Sequence, residues 1–243
     1  MKKEILFSSE NHKFIVLGRD EYKPEIIIDS NQAIIIHDDF TIIMDPGGME
    51  TYGTISMEIM EYLNNHTLKY ILATHQDPDI ASSLSLWLNM YDVKLYLSRL
   101  WLYFMPNFGG TKDTFIPIED EGGRLELGGG DYIEFIPAHF LHSPGNFSFY
   151  DSRSKILFSG DIGAALLNNP KDQDFYIQDF DEHVKYMNYF HNRYFASNKH
   201  KNKWIDAVRK LDIDYIVPQH GSIFKGENIN KFLDWFESLK LTD

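Results

Sequence analysis

No cysteine occurs in the 243-residue chain, which excludes disulfides, thiolate-bound zinc, rubredoxin-type iron and iron–sulfur clusters together. Any metal held here is held by nitrogen and oxygen. Basic residues are scarce, 23 against 36 acidic ones, and the formal charge of -13 opposes polyanions, because nucleic-acid binding rests on Lys and Arg displacing counterions from phosphates. Nucleic acid and anionic membrane surfaces are therefore not expected partners. No apolar run is long enough to cross a bilayer, and no repeat, low-complexity tract or linker marks a second domain. Near the N-terminus two lysines precede only three consecutive apolar residues, Ile5-Leu6-Phe7. That is too few for the core of a secretion signal, so a cytoplasmic location is expected.

What is present suits one α/β domain over residues 1–243, with hydrophobic residues at 43% and aromatics at 15% to fill a sizeable core. β-Branched runs at 25–28, 33–36 and 41–44 predict neighbouring strands in a meander. A helix is expected over 56–65, then a strand at 70–73, a helix at 81–90 and a strand at 93–97 as a β-loop-α-β unit. A second β-rich stretch covers 115–158, followed by helical pattern over 180–211, a strand at 215–217 and an amphipathic helix at 228–240. This order predicts two sheets back to back with helices outside, an αββα sandwich.

Four apolar runs lead to residues that bind metals: Tyr70-Ile-Leu-Ala-Thr-His75, Phe135-Ile-Pro-Ala-His-Phe-Leu-His142, Ile156-Leu-Phe-Ser-Gly-Asp161 and Tyr215-Ile-Val-Pro-Gln-His220. The first continues into His75-Gln-Asp77-Pro-Asp79, and residues spaced two apart leave an extended chain on the same side. A divalent cation relieves the repulsion between two such carboxylates, and imidazole mixed with carboxylate suits iron, manganese or zinc. Asp77 and Asp79 equally suit the first turn of a helix, where acids meet the helix dipole. Asp161 follows Ser159-Gly160, and one carboxylate can place an oxygen on each of two cations about 3.5–4 Å apart. His142 precedes Ser-Pro-Gly-Asn146 and His220 precedes Gly221; each alone also fits a structural histidine at a chain reversal. The four together point to a metal site, and to two metals in it.

Lesser candidates have two readings each. His139 is either a supporting group near the site or a strand-end residue facing solvent, and Asp45 either supports the cluster or makes an ordinary Asp-Pro-Gly turn. His12, His37, His66, His183, His191 and His200 read as surface or helix positions. Leu100-Trp-Leu-Tyr-Phe-Met105 reads as core or as a dimer interface.

The order His75-x-Asp77-x-Asp79, Leu141-His142-Ser-Pro-x-Asn146, Ser159-Gly-Asp161 and Pro218-x-His220-Gly221 resembles the metallo-β-lactamase fold. More closely it resembles the di-iron domain of flavodiiron proteins, in particular stand-alone oxygen-binding di-iron proteins associated with bacterial chemotaxis kinases. The resemblance spans nearly the whole chain. It implies a metallo-β-lactamase-like αββα sandwich holding two iron ions. By position, His75, Asp77 and His142 would bind the first, Asp79 and His220 the second, and Asp161 would bridge both.

The family pattern His-x-Glu-x-Asp-His is met here with Asp77 in place of the glutamate and Ile80 in place of the last histidine. The second iron then keeps open positions, where dioxygen binds. A chain of 243 residues leaves no room for a flavodoxin domain with its FMN, and without cysteine there is no rubredoxin. The resemblance thus implies an oxygen-binding, sensory di-iron protein with dioxygen as ligand, a signalling kinase as partner, and a homodimer as its assembly. One rival is an oxygen or nitric oxide reductase served by an external electron-transfer protein. Another is a zinc-dependent hydrolase, which usually shows His-x-His-x-Asp-His; a binding module with a merely structural metal is a third. The connection 162–179 is expected either to cover the metals or to form a static surface loop.

Overall fold

The computed structural model describes residues 1–63, 66–170 and 173–241, and the chain divides into two compact units, Met1–Asp120 and Glu121–Asp243. The first unit contains strands β1 (Lys2–Ser8), β2 (His12–Gly18), β3 (Gln32–His37), β4 (Phe40–Met44), β5 (Thr67–Leu72), β6 (Lys94–Ser98) and β7 (Phe115–Ile118). They form one seven-stranded sheet in that order. From β1 to β4 neighbours are antiparallel, and from β4 to β7 they are parallel. Every residue of β3 and β4 is buried, which is why they read as continuous apolar runs rather than as alternation.

A parallel pair needs a crossover. Helix α1 (Tyr52–Leu63) links β4 to β5, while α2 (Pro78–Ala81) and α3 (Leu84–Met90) link β5 to β6. The step from β6 to β7 uses only short 3₁₀ turns, Arg99–Trp101, Met105–Phe108 and Lys112–Thr114. Met105 is buried there, whereas Leu100, Tyr103 and Phe104 are exposed. Strand β1 breaks register between Ile5 and Phe7, and Lys3 ties it to α1 through Glu61 at 2.9 Å and Glu58 at 3.2 Å.

The second unit contains β8 (Gly123–Gly128), β9 (Asp131–Pro137), β10 (Phe147–Asp151), β11 (Ile156–Gly160), β12 (Tyr215–Pro218) and β13 (Phe224–Lys225). They form a sheet ordered β13-β12-β11-β10-β9-β8, antiparallel except for the β11–β12 pair. Helices α4 (Phe180–Tyr194) and α5 (Asn198–Val208) make the crossover, and α6 (Glu227–Ser238) follows β13. Asp179 caps α4 by accepting from the Glu182 amide, and Ser197 caps α5 by accepting from the His200 amide. Trp204, Phe232 and Phe236 are fully buried core residues. Trp204 satisfies its indole N–H on Ser148 Oγ at 3.0 Å. Buried Lys201 donates to the carbonyls of Glu237 and Leu239, which completes the C-terminus of α6 with a cation.

Several sequence expectations need correction. Residues 25–28 form a turn rather than a strand, closed by the Ile27 amide on Pro24 O at 3.0 Å, and Ile26 is 96% exposed. The opening strands are β1 and β2 instead. The helix expected over 81–90 is two short helices, Pro78–Ala81 and Leu84–Met90, with Ser83 at the N-cap of the second and its hydroxyl donating to Gly47 O at 2.6 Å. The stretch 115–158 is divided, with β7 pairing onto β6 in the first sheet. Positions 64 and 65, read as the end of a helix, lie outside the described residues, as do 171 and 172 of the long connection. That connection is anchored near its end by the Ile177 amide on Ile223 O at 3.3 Å. His12 and His37, read as surface positions, are buried and face each other Nδ1 to Nδ1 at 2.9 Å. No helix among the described residues is long and apolar enough to cross a membrane.

His191, on α4, is fully buried, and burial pushes its imidazole down to about 4. The folded chain thus keeps the ring neutral where the unfolded chain, with an ordinary histidine near 6.5, takes up a proton. The contribution is complete above pH 6.5 and is lost as pH falls to about 4, amounting to about 3 kcal/mol. Urea unfolding at pH 7, 5.5 and 4 is expected to show this loss in the wild-type chain, with a flatter slope in His191→Leu.

Candidate metal centre

In the first unit the candidate residues follow the C-terminal ends of the parallel strands β4 and β5, the edge at which α/β sheets hold their ligands. Asp45 is the residue after β4, and its amide donates to Leu72 O at 2.9 Å, at the end of β5. It is fully buried with φ +51°, a left-handed conformation that Asp and Asn adopt more readily than other side chains. The carboxylate turns back onto the next strand. Oδ1 accepts the Thr74 amide at 2.8 Å and Oδ2 accepts the Thr74 hydroxyl at 2.7 Å.

With its proton committed to Asp45, Thr74 Oγ1 acts as acceptor toward His75 Nδ1, 3.0 Å away. That arrangement fixes the tautomer of His75 with the proton on Nδ1, the kind of support a metal-binding imidazole requires. Nε2, on the far side of the ring, lies 3.7 Å from Asp77 Oδ2. Of the two readings of Asp45, the supporting one is therefore realised.

Asp77 stands at the N-cap of α2, with Pro78 in the first helical position. Its carbonyl accepts the amides of Ile80 and Ala81 at 3.0 and 2.8 Å, while its side chain makes no capping bond. The helix start thus uses the backbone of Asp77, while its carboxylate accepts from Gln76 Nε2 at 2.9 Å and turns Oδ2 toward His75. Asp79 lies in the first turn of α2. Ile80 is fully buried in the apolar core of this unit, so the position that departs from the family pattern is a packing position.

The second unit brings three candidates together. Asp161 directly follows β11 and is 2% exposed. His142 Nε2 lies 3.4 Å from its Oδ2, and His220 Nε2 lies 3.5 Å from its Oδ1. Two donors bound at about 2.0–2.2 Å to one cation stand roughly 3–3.5 Å apart. One imidazole faces each carboxylate oxygen, at a separation that a cation bound by both donors would fit. The donors are nitrogen and oxygen only, and they fit iron.

His142 is not at a strand end, as its sequence suggested, because β9 stops at Pro137. It sits in a tight loop where Phe140 has φ +61° and His142 itself φ +77°, both strained for residues with a Cβ. Asn146 holds the loop through Nδ2 to Leu141 O at 2.7 Å. The ring of His142 packs against Phe190 and Tyr194, with centroids 5.4 and 5.5 Å away. His220 follows β12, and its carbonyl accepts the Ala165 amide at 3.1 Å. Gly221 makes that approach possible: its φ is +91°, and a Cβ there would stand 2.7 Å from Ala165 Cβ. His139 is half-buried edge-on to Phe147. Sequence reasoning missed Thr74, which carries no recognisable signal beyond its place before His75.

A family model described as "ODP family beta lactamase" matches residues 28–221. Among solved structures, "Peroxy diiron species of chemotaxis sensor ODP" is 36% identical with a TM-score of 0.88, covering 99% of this chain and 96% of that one. "Apo state of chemotaxis sensor ODP from T. denticola" is 38% identical with a TM-score of 0.85, covering 99% and 95%. The "Flavo-diiron protein FprA2" of Clostridium acetobutylicum is 24% identical over 181 residues, 70% of this chain and 44% of that protein. The chain spans about half the length of the curated relatives it matches. Its fold is α/β with two sheets, metallo-β-lactamase-like as the motifs implied.

Replacing Asp45 with Ala strands the Thr74 amide and hydroxyl in a buried place and strains the left-handed backbone, whereas Asn keeps an acceptor and tolerates the conformation. Denaturant titration of the metal-free protein is expected to give a loss of about 2–4 kcal/mol for Asp45→Ala and a clearly smaller loss for Asp45→Asn. Equal losses would contradict the account of Asp45.

Proposed function

The chain belongs to the ODP family of beta lactamases, and from that premise we propose that it is a di-iron protein that binds dioxygen and reports it to a signalling partner. The observation that carries the reading is the buried Asp161 carboxylate with His142 on one oxygen and His220 on the other. On that reading His75, Asp77 and His142 would hold the first iron, Asp79 and His220 the second, and Asp161 both, as the family resemblance implies. Iron held by these residues would supply the binding of dioxygen and the reducing equivalents that go with it.

The protein's own residues set how that pair is held. Thr74 and Asp45 keep His75 in the tautomer whose Nε2 can bind metal, and burial of His75, Asp161 and His220 limits water around them. Ile80 contributes no donor, so an ion held by Asp79, His220 and Asp161 would have room for an external ligand. The sensory role is supported by two relatives at 36% and 38% identity described as a chemotaxis sensor. A signalling kinase as partner, a homodimeric state and a cytoplasmic location complete the proposal.

Anaerobic loading with ferrous iron, metal quantification and absorption spectroscopy on admitting oxygen test it. The expected result is two irons per chain and a long-lived oxygen-dependent absorption band, with little oxygen consumption when a flavoprotein donor is added. Sustained consumption with the donor would make the protein a reductase, and activity with zinc on an ester would make it a hydrolase. Asp161→Ala is expected to retain at most one iron per chain and to lose the band; two irons in that variant would falsify the bridging role.

A further inference from the structure

His191 lies outside every ligand motif, yet it is the fully buried polar group of α4 in contact with the turn that presents Asp161. Its Nδ1 faces Met187 O at 2.9 Å, one helical turn back, and a carbonyl can only accept, so the ring proton is on Nδ1. Nε2 is then an acceptor, and it receives the Gly163 amide at 3.0 Å. The ring cannot swing away. Phe195, Trp235 and Phe236 surround it with centroids at 4.5, 5.1 and 5.5 Å.

Gly163 is two residues beyond Asp161, and the turn between them is closed by the Ala164 amide on Asp161 O at 3.0 Å. At Gly163 φ is +93° and a Cβ would meet Phe224 Cε2 at 2.9 Å, so the amide is delivered to His191 by a backbone that only glycine allows here. A second bond ties the same segment to the helix, from the Leu166 amide to Tyr186 O at 3.3 Å. The neighbouring Ala165 amide reaches His220 O. Asp161 and His220 are thus both fastened to one short segment, and α4 grips that segment.

We propose that His191 is a positioning residue for the bridging carboxylate: through Gly163 it fixes the turn that aims Asp161 between its two imidazoles. The inference rests on the two-ion reading of the site. Losing such a support weakens metal binding by about 10–100-fold in metal centres generally.

The test uses cobalt(II) as probe under anaerobic conditions, with affinity, stoichiometry and visible absorption as readouts. Wild type is expected to take up two ions. His191→Phe keeps the ring shape without the acceptor, and is expected to bind about 10–100-fold more weakly with an altered spectrum. His191→Gln places an oxygen near the position of Nε2 and is expected to restore both. Val208→Ala, a buried change on α5 that lowers stability by itself, is expected to leave both unchanged. Wild-type affinity and spectrum in His191→Phe would overturn the inference, as would equal weakening in Val208→Ala. Should His191→Phe not fold, the wild-type chain still decides: the ¹⁵N signal of His191 Nε2 is expected to move on zinc(II) uptake, and an unmoved signal overturns the proposal. A wild-type chain that binds no cobalt sinks the two-ion reading itself, which is a separate outcome.

Discussion

A carboxylate held almost entirely out of water is the constraint around which the second unit is arranged. Taking such a group into a protein interior costs several kcal/mol even after relaxation unless the groups around it compensate. His142 and His220 each turn a nitrogen toward one oxygen of Asp161 at 3.4 and 3.5 Å. In the proposed centre a cation between those atoms would offset that cost. The left-handed backbone at His142, the close approach at Gly221 and the hydrogen bonds of Gly163 and Leu166 to α4 lie in the segments that carry these three side chains. In the first unit the same economy appears in a different form, where Asp45 spends both oxygens on Thr74 and thereby dictates which nitrogen of His75 carries the proton.

Most strand-borne features were legible in the sequence. The runs leading to His75, Asp161 and His220 do become β5, β11 and β12, and the ligand candidates follow those strands within three residues. Apolar continuity was the signal, because β11 and β12 bury most of their side chains and β5 buries its last two. The amphipathic pattern of α6 and the helical pattern of α4 and α5 were equally readable. His142 was harder to place. Its run Phe135 to His142 looks like one strand, yet Pro137 ends the ladder and the loop beyond it depends on positive φ at two residues, a property that composition does not reveal.

The misses share a physical cause. Ile26, Ile27 and Ile28 have the composition of a strand but no ladder partner, whereas β1 and β2, with lysines and glutamates among their residues, gain stability by pairing with each other and with β3. Pairing over distance overrode local composition. Burial of His12 and His37 against each other and of His191 within α4 could not be read either, since a histidine's surroundings are set by elements far away in the chain. Ile80 shows the converse: its sequence position marks it as a missing ligand, and the fold uses it as core.

Strand β1 is an outer strand of the seven-stranded sheet, and its register breaks at Ile5 to Phe7 while Lys2 and Lys3 occupy its start. An outer strand that is bent and charged is a poor template for another chain's backbone. Fibril-like growth by cross-strand addition is thereby discouraged at this margin, and association of copies along it would rest on side-chain surfaces rather than on a continued sheet.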